Sequence, residues 1–281
     1  MKIIKSIEEM REYCQQLKRK RKTIGSVGTE EGYLHDGHMS LVKIAKENAD
    51  VVVLDLLHTV NYFECSPEEY ERLLEIYEQD FLEKDIELCK LNNVDVLFLP
   101  SMHDMYLNIL PLNISIPVIE LWVSKWKPRA EFIRMCRETY NIMLPDVTVV
   151  GQKDVYQNFA IKSLIKQLGL PIKVIIAPTL RDFNGVALSS RNKVLRPDDY
   201  KNVISIYKTS QEVASWKEIE PINYIKSYIT HHVKSEECCV DICCAETLKD
   251  LDVVLDRKAL ITITAFFGEI FIDDNIIVDP K

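Results

Sequence analysis

Two histidines, His35 and His38, stand three residues apart in the stretch Gly32-Tyr33-Leu34-His35-Asp36-Gly37-His38. The stretch lies between an apolar run, Thr23–Val27, and a helical pattern that starts near Met39. At that spacing, at the start of a helix, both imidazoles share one face. The N–H groups of a first helical turn point the same way, and the helix dipole favours an anion there. Gly32 and Gly37 let the backbone come close to a ligand. These parts suit a phosphate, with imidazoles placed to neutralise charge that develops on a transferring phosphoryl group. The plain alternative is a surface loop with two solvated histidines. Two later stretches weigh against it: Gly151-Gln152-Lys153-Asp154 and Ala187-Leu188-Ser189-Ser190-Arg191-Asn192. Lys153 adds a mobile point charge, and Ser189, Ser190 and Arg191 add donors for a phosphate chain.

The elements that must position these residues follow an α/β pattern. A capping box, Ser6 with Glu9, opens a helix from Ile7 to about Lys20. Thr23–Val27 is expected to be the first central strand, Gly28–Gly37 a loop and His38–Asn48 a helix. The almost wholly apolar run Val51–Leu57 reads as a parallel strand covered on both faces. Strand, glycine loop, helix and strand make a βαβ unit. Pro67 opens a charged helical region that runs to about Asn92, followed by a strand at Val94–Phe98. Ile114–Val118 reads as a short edge piece, Arg129–Met143 as a helix and Val147–Val150 as a buried strand. Gly151–Asp154 then falls at a strand's carboxyl end, where ligands of open parallel sheets bind. A helix over Val155–Leu168 and a strand over Ile172–Ala177 complete the sheet. Helices at Asp198–Trp216 and Ile222–Val233 follow, then strands at Cys239–Cys244, Ala259–Phe266 and Ile270–Ile272.

The bulk properties exclude several classes. The 281 residues are enough to bury a sizeable core in one large or two modest domains. A net charge of −8 argues against general nucleic-acid binding. The one dense basic run, Lys18–Lys22, reads as favourable charge at a helix C-terminus. No apolar stretch is long enough to span a bilayer, and the N-terminus lacks a signal-peptide pattern, so a cytoplasmic protein without nucleic-acid or membrane partners is expected. The run Cys238-Cys239-Val240-Asp241-Ile242-Cys243-Cys244 does not have the spacing of a structural zinc site and reads as a strand.

The three polar stretches, in their order, resemble the pantothenate synthetase (pantoate–β-alanine ligase) family of the nucleotidylyltransferase superfamily. The likeness continues through Ala49–Val53, Val94–Pro100, Pro145-Asp146 and Asn275. It implies a Rossmann-like parallel sheet with helices on both faces at residues 1–185, and a smaller α+β domain at residues 186–281. It also implies a homodimer, ATP and Mg²⁺, and the joining of a small-molecule acid to an amine. Joining a carboxylate to an amine at neutral pH needs a better leaving group than oxide, and AMP transfer from ATP supplies it. On this reading His35, His38, Lys153, Ser189, Ser190 and Arg191 are catalytic. Gly37, Gly151, Asp154 and Arg181 face the nucleotide, and Asp85 or Asp154 is the candidate for Mg²⁺.

The sequence departs from the family pattern around the acid and the amine. Gly28-Thr29-Glu30-Glu31-Gly32 replaces a Pro-Thr-Met-Gly stretch, adding two acids. Tyr62 stands where the resembled family has a glutamine that binds a pantoate hydroxyl, while Gln157 matches the second such glutamine. In Lys127-Pro128-Arg129-Ala130-Glu131-Phe132 the usual histidine is Glu131. Thr29, Glu30, Tyr62, Lys127, Glu131 and Gln157 are therefore the expected substrate residues. The acid is pantoate, with β-alanine as amine, or a different acid bearing an ammonium group, because buried acids need a cation. A nucleotidyl transferase that releases an adenylylated product, or a silent ATP-binding homologue, is the alternative.

Overall fold

The computed structural model describes residues 1–29, 32–57, 66–107, 130–217, 220–251, 253–268 and 270–279. It divides into two compact units, Met1–Pro178 and Thr179–Lys281. The expected edge piece Ile114–Val118 lies outside the described residues, as do Glu30, Glu31, Tyr62 and Lys127.

The first unit is a six-stranded sheet of β1 (Lys2–Ile4), β2 (Ile24–Thr29), β3 (Val51–Leu56), β4 (Val96–Phe98), β5 (Val147–Gly151) and β6 (Lys173–Ala177). All five pairings are parallel, in the order β1-β4-β3-β2-β5-β6. The chain therefore leaves β2 towards β3 and β4 on one side and later returns to β5 and β6 on the other. The reversal places a topological switch point between β2 and β5, where ligands of such sheets bind.

Helices α1 (Ile7–Arg19), α2 (Asp36–Asn48), α3 (Pro67–Asp80), α4 (Leu82–Leu91), α5 (Met102–Leu107), α6 (Ala130–Met143) and α7 (Val155–Gln167) cover the sheet. Ile7, Met10 and Cys14 of α1 join Met135, Ile142 and Met143 of α6 against Ile24, Val53 and Phe98 on one face. Met39, Val42 and Ala45 of α2 pack with Val27, Val52, Leu54 and Leu56 on the other, with Tyr77 and Cys89. Alternate strand residues thus serve opposite faces, and both must be apolar.

Three local features differ from the sequence expectation. Gly28 and Thr29 extend β2 rather than open the loop. The charged region after Pro67 is two helices, broken at Phe81 with φ −127° and ψ −32°. The break turns the Phe81 ring onto Tyr33, with centroids 4.5 Å apart. Finally, β9 runs over Ile270–Val278, well past Ile272.

In the second unit, β7 (Glu237–Cys244), β8 (Ala259–Phe267) and β9 form an antiparallel sheet in that order. Val203, Ile206 and Val213 of α8 (Pro197–Ser215) and Ile222, Ile225 and Ile229 of α9 (Ile222–His232) pack on Ile261, Ile263 and Ile272. The seven described cysteines are all free thiols. No described helix is long and apolar enough to cross a membrane.

Candidate active site

His35 is the N-cap of α2 in extended backbone (φ −148°, ψ 173°). N-caps are usually small oxygen-bearing residues that accept from a first-turn N–H. Here the imidazole does that work: His35 Nδ1 accepts from the Gly37 N–H at 3.1 Å. His38 returns the bond, its Nδ1 accepting from the His35 N–H at 3.3 Å. The rings lie 4.1 Å apart between centroids. With Nδ1 of both rings used as an acceptor, a neutral ring carries its proton on Nε2. The backbone thereby sets the tautomer and makes Nε2 the donor edge of each neutral ring.

The preceding loop is braced from α3 and α4. Asp85, 4% exposed, accepts from the Leu34 N–H at 2.9 Å through Oδ1 and from the Tyr77 hydroxyl at 2.8 Å through Oδ2. Burial, followed by the Asp85 charge, pushes the Tyr77 phenol well above its usual pKa, so it stays a donor. The Tyr77 ring fills the space beside Gly32: a Cβ there would lie 1.9 Å from Tyr77 Cε2. Tyr33 sits at φ +62°, a costly conformation for a bulky residue. Its ring is held edge-on by Tyr77 and Phe81. Asp85, a sequence candidate for Mg²⁺, thus has both oxygens turned to the loop and to Tyr77.

Gly151 ends β5 beside β2, across the switch point, and nothing lies within 4 Å of where its Cβ would stand. A ligand can therefore approach this backbone closely. The Gln152 N–H donates to the Ala177 carbonyl at 2.8 Å, and Asn158 Nδ2 donates to the Gly151 carbonyl at 2.8 Å. These bonds fix the turn that carries Lys153. Asp154 is exposed at the N-cap of α7 and makes no side-chain cap bond. Gln157 lies in the first turn of α7, half-buried. Thr29 is buried, its hydroxyl donating to the Asp55 carbonyl at 2.9 Å. Glu131 lies in the first turn of α6, with its side chain outside the description.

In the second unit Ser189 caps a 3-10 turn, Ser190–Val194, its Oγ accepting from the Arg191 N–H at 3.3 Å. The Arg191 guanidinium stacks 3.9 Å over the Phe271 ring and pairs with Asp273 at 3.5 Å. Arg181 is more tightly held. It donates to both Asp274 oxygens at 2.6 and 2.9 Å and to the Gly185 carbonyl at 3.0 Å, over the Tyr207 ring. Gly185 has φ +87° and the Tyr207 ring against it, so no side chain fits there. Arg181 is thus a fastener between the 180–188 loop and β9.

The family model for pantoate-beta-alanine ligase matches residues 2–277. The chain belongs to that family. The pantothenate synthetases of Thermotoga neapolitana and Thermoanaerobacter sp. strain X514 are each 33% identical to it; the alignments cover 99% of this chain and 100% and 98% of theirs. The crystal structure of the Thermus thermophilus pantothenate synthetase superposes with a TM-score of 0.83 at 27% identity, covering all of both chains. The Francisella tularensis pantoate-beta-alanine ligase, complexed with beta-gamma ATP and beta-alanine, gives 0.72 at 25% identity over 98% and 97%.

Two groups escaped the sequence reading. Tyr77 is one, together with the bracing role of Asp85, which the sequence offers only as a Mg²⁺ candidate; both sit far along the chain from the loop they hold. Asp55 is the other, an acid in the apolar run Val51–Leu57. It is 3% exposed, and its Oδ2 has no hydrogen-bond partner among the described residues.

Proposed function

We propose that this AMP-forming ligase runs its chemistry at the crevice between β2 and β5, with His35 and His38 as phosphate donors. The acid's carboxylate oxygen attacks the α-phosphorus of ATP and pyrophosphate leaves with the bridging oxygen. The amine nitrogen then attacks the acyl carbon, AMP leaves and the nitrogen sheds a proton to solvent. The reciprocal capping of the two histidines carries this reading. It presents Nε2 donors where an oxyanion develops, with no reorganisation at the moment of reaction.

Lys153 supplies a positive charge to the same phosphates from the turn after β5. Ser189, Ser190 and Arg191 supply hydroxyl and guanidinium donors to the pyrophosphate, and Gly37 and Gly151 leave room for the nucleotide. Of the two Mg²⁺ candidates, Asp154 fits the ion better. Its carboxylate is exposed at the head of α7, whereas Asp85 is occupied in bracing. Mg²⁺ there would neutralise charge on the leaving pyrophosphate. Thr29, Glu30, Tyr62, Lys127, Glu131 and Gln157 surround the acid and the amine in this reading.

The acid is pantoate, with β-alanine as amine, or, on the strength of the substitutions at Glu30, Tyr62 and Glu131, a different acid that bears an ammonium group. A cytoplasmic homodimer is part of the same reading, and sedimentation velocity tests the dimer. Pyrophosphate release with a panel of acids, pantoate included, tests the substrate. Turnover with pantoate and β-alanine at ordinary enzymatic rates defeats the altered-substrate reading. ATP binding without AMP formation for every acid defeats the ligase itself.

A further inference from the structure

Asp55 pairs in register with Gly28 across β3 and β2, so both face the α6 side of the sheet at its carboxyl end. Its carboxyl lies flat over the glycine: a Cβ on Gly28 would stand 3.3 Å from Asp55 Oδ1 and 3.6 Å from Oδ2. Gly28 therefore leaves the space that the carboxyl occupies. The backbone here is tied to the start of the histidine loop, with Thr29 Oγ1 donating to the Asp55 carbonyl and the Leu57 N–H donating to the Thr29 carbonyl.

Buried polar atoms in folded proteins almost always find a partner, and an orphan asks for a reason. A carboxyl oxygen taken out of water without a donor costs free energy. The Tyr140 hydroxyl of α6, which feels the Asp55 charge, lies 3.4 Å from Thr148 Oγ1 on β5. The other buried charges on α6, Arg137 and Glu138, are paired with each other. A structural role would have used the orphan oxygen. A ligand that arrives with a donor explains why it is left over at a strand end beside the phosphate loop.

We infer that Asp55 is a specificity residue that receives a hydrogen-bond-donating substituent, hydroxyl or ammonium, on the acid to be activated. The inference rests on the proposed ligase reading and narrows its substrate class to donor-bearing acids. An ammonium turns the carboxyl into an ion pair in a dry site; a hydroxyl makes a single hydrogen bond. Both satisfy Oδ2, and the choice between them is experimental.

The test is ATP–pyrophosphate exchange by the full-length chain with matched acids: 2-hydroxy, 2-amino and unsubstituted forms of one carbon skeleton. The wild type should favour a donor-bearing acid over the unsubstituted one by about 10- to 100-fold in kcat/KM, the scale of discrimination when a buried polar group is left unpaired. Asp55→Ala should abolish that preference through KM, leaving the unsubstituted acid and the KM for ATP unchanged. Asp55→Asn should retain the hydroxy acid but lose the amino acid, because an amide accepts from a hydroxyl without countering a positive charge. Calorimetric titration of the same acids without ATP gives the ranking independently of turnover. Ranked binding without exchange defeats the ligase reading and leaves Asp55 standing. Equal losses for all three acids in Asp55→Ala, or no change in any, overturn the role of Asp55. Gly28→Ala, which crowds Oδ1, should weaken the donor-bearing acid in the same direction.

Discussion

The buried Asp85 carboxylate accepts the backbone N–H of Leu34, one residue before His35. Its second oxygen takes the Tyr77 hydroxyl. Asp85→Ala removes the acceptor that two buried donors share, which costs on the order of 2–4 kcal/mol in urea denaturation. It should also lower the exchange kcat/KM more than tenfold, by freeing the loop that aims both imidazoles. Asp85→Asn keeps an acceptor for Leu34 and should recover most of each loss. An Asn variant as poor as Ala, with a raised Mg²⁺ requirement, would instead make Asp85 a metal ligand.

Gly32 is required by Tyr77 rather than by its own backbone. A methyl at Gly32 meets the Tyr77 ring at 1.9 Å, and that ring is 2% exposed. Gly32→Ala should destabilise the chain by about 1–3 kcal/mol, the usual cost of overpacking. Adding Tyr77→Leu should return part of that loss, so thermal denaturation of the two single variants and the double variant should show non-additivity.

Burial pushes the Asp55 carboxyl up to about 8, from an ordinary value near 3.8. Between those values the folded chain holds a proton that the unfolded chain has lost. Stability from this group is therefore full below the unfolded pKa and declines as pH rises towards 8. Asp55→Asn removes that dependence. Melting curves from pH 5 to 9 should show the Asn variant gaining on the wild type as pH rises, with the gap levelling above about pH 8. A constant gap contradicts the raised value.

The Arg181–Asp274 pair should matter to folding more than to phosphate chemistry. Asp274 is buried, and its side chain also accepts from the Asn275 N–H at 2.8 Å. Arg181→Ala leaves this carboxylate without its cation and should cost about 2–4 kcal/mol in urea denaturation. Its effect on KM for ATP should be within about threefold, roughly 0.6 kcal/mol. A large rise in KM with unchanged stability would return Arg181 to the nucleotide.

Much of the fold is legible in local pattern. The apolar runs that become β3 and β5 are buried on both faces, so their composition alone announces parallel strands. The histidine loop is legible because the reciprocal caps of this helix start are built from near neighbours. What is hidden depends on distant partners. Gly28 reads as loop, yet stays in β2, paired in register with Asp55 of β3. The acids Asp273 and Asp274 break the apolar pattern of β9, and Arg181 and Arg191, some eighty to ninety residues earlier, show why they are tolerated there. The break at Phe81 likewise answers to Tyr33, not to any helix-stop residue in the local sequence.

Whether the paired histidines serve adenylate formation is decided by acid-dependent exchange of labelled pyrophosphate into ATP, measured without amine for the wild type and His38→Ala. Exchange should require an acid but no amine, and should fall about 10²- to 10³-fold in His38→Ala with the fold intact. Products of ADP and orthophosphate, or exchange undiminished in His38→Ala, would contradict a histidine role in adenylate formation.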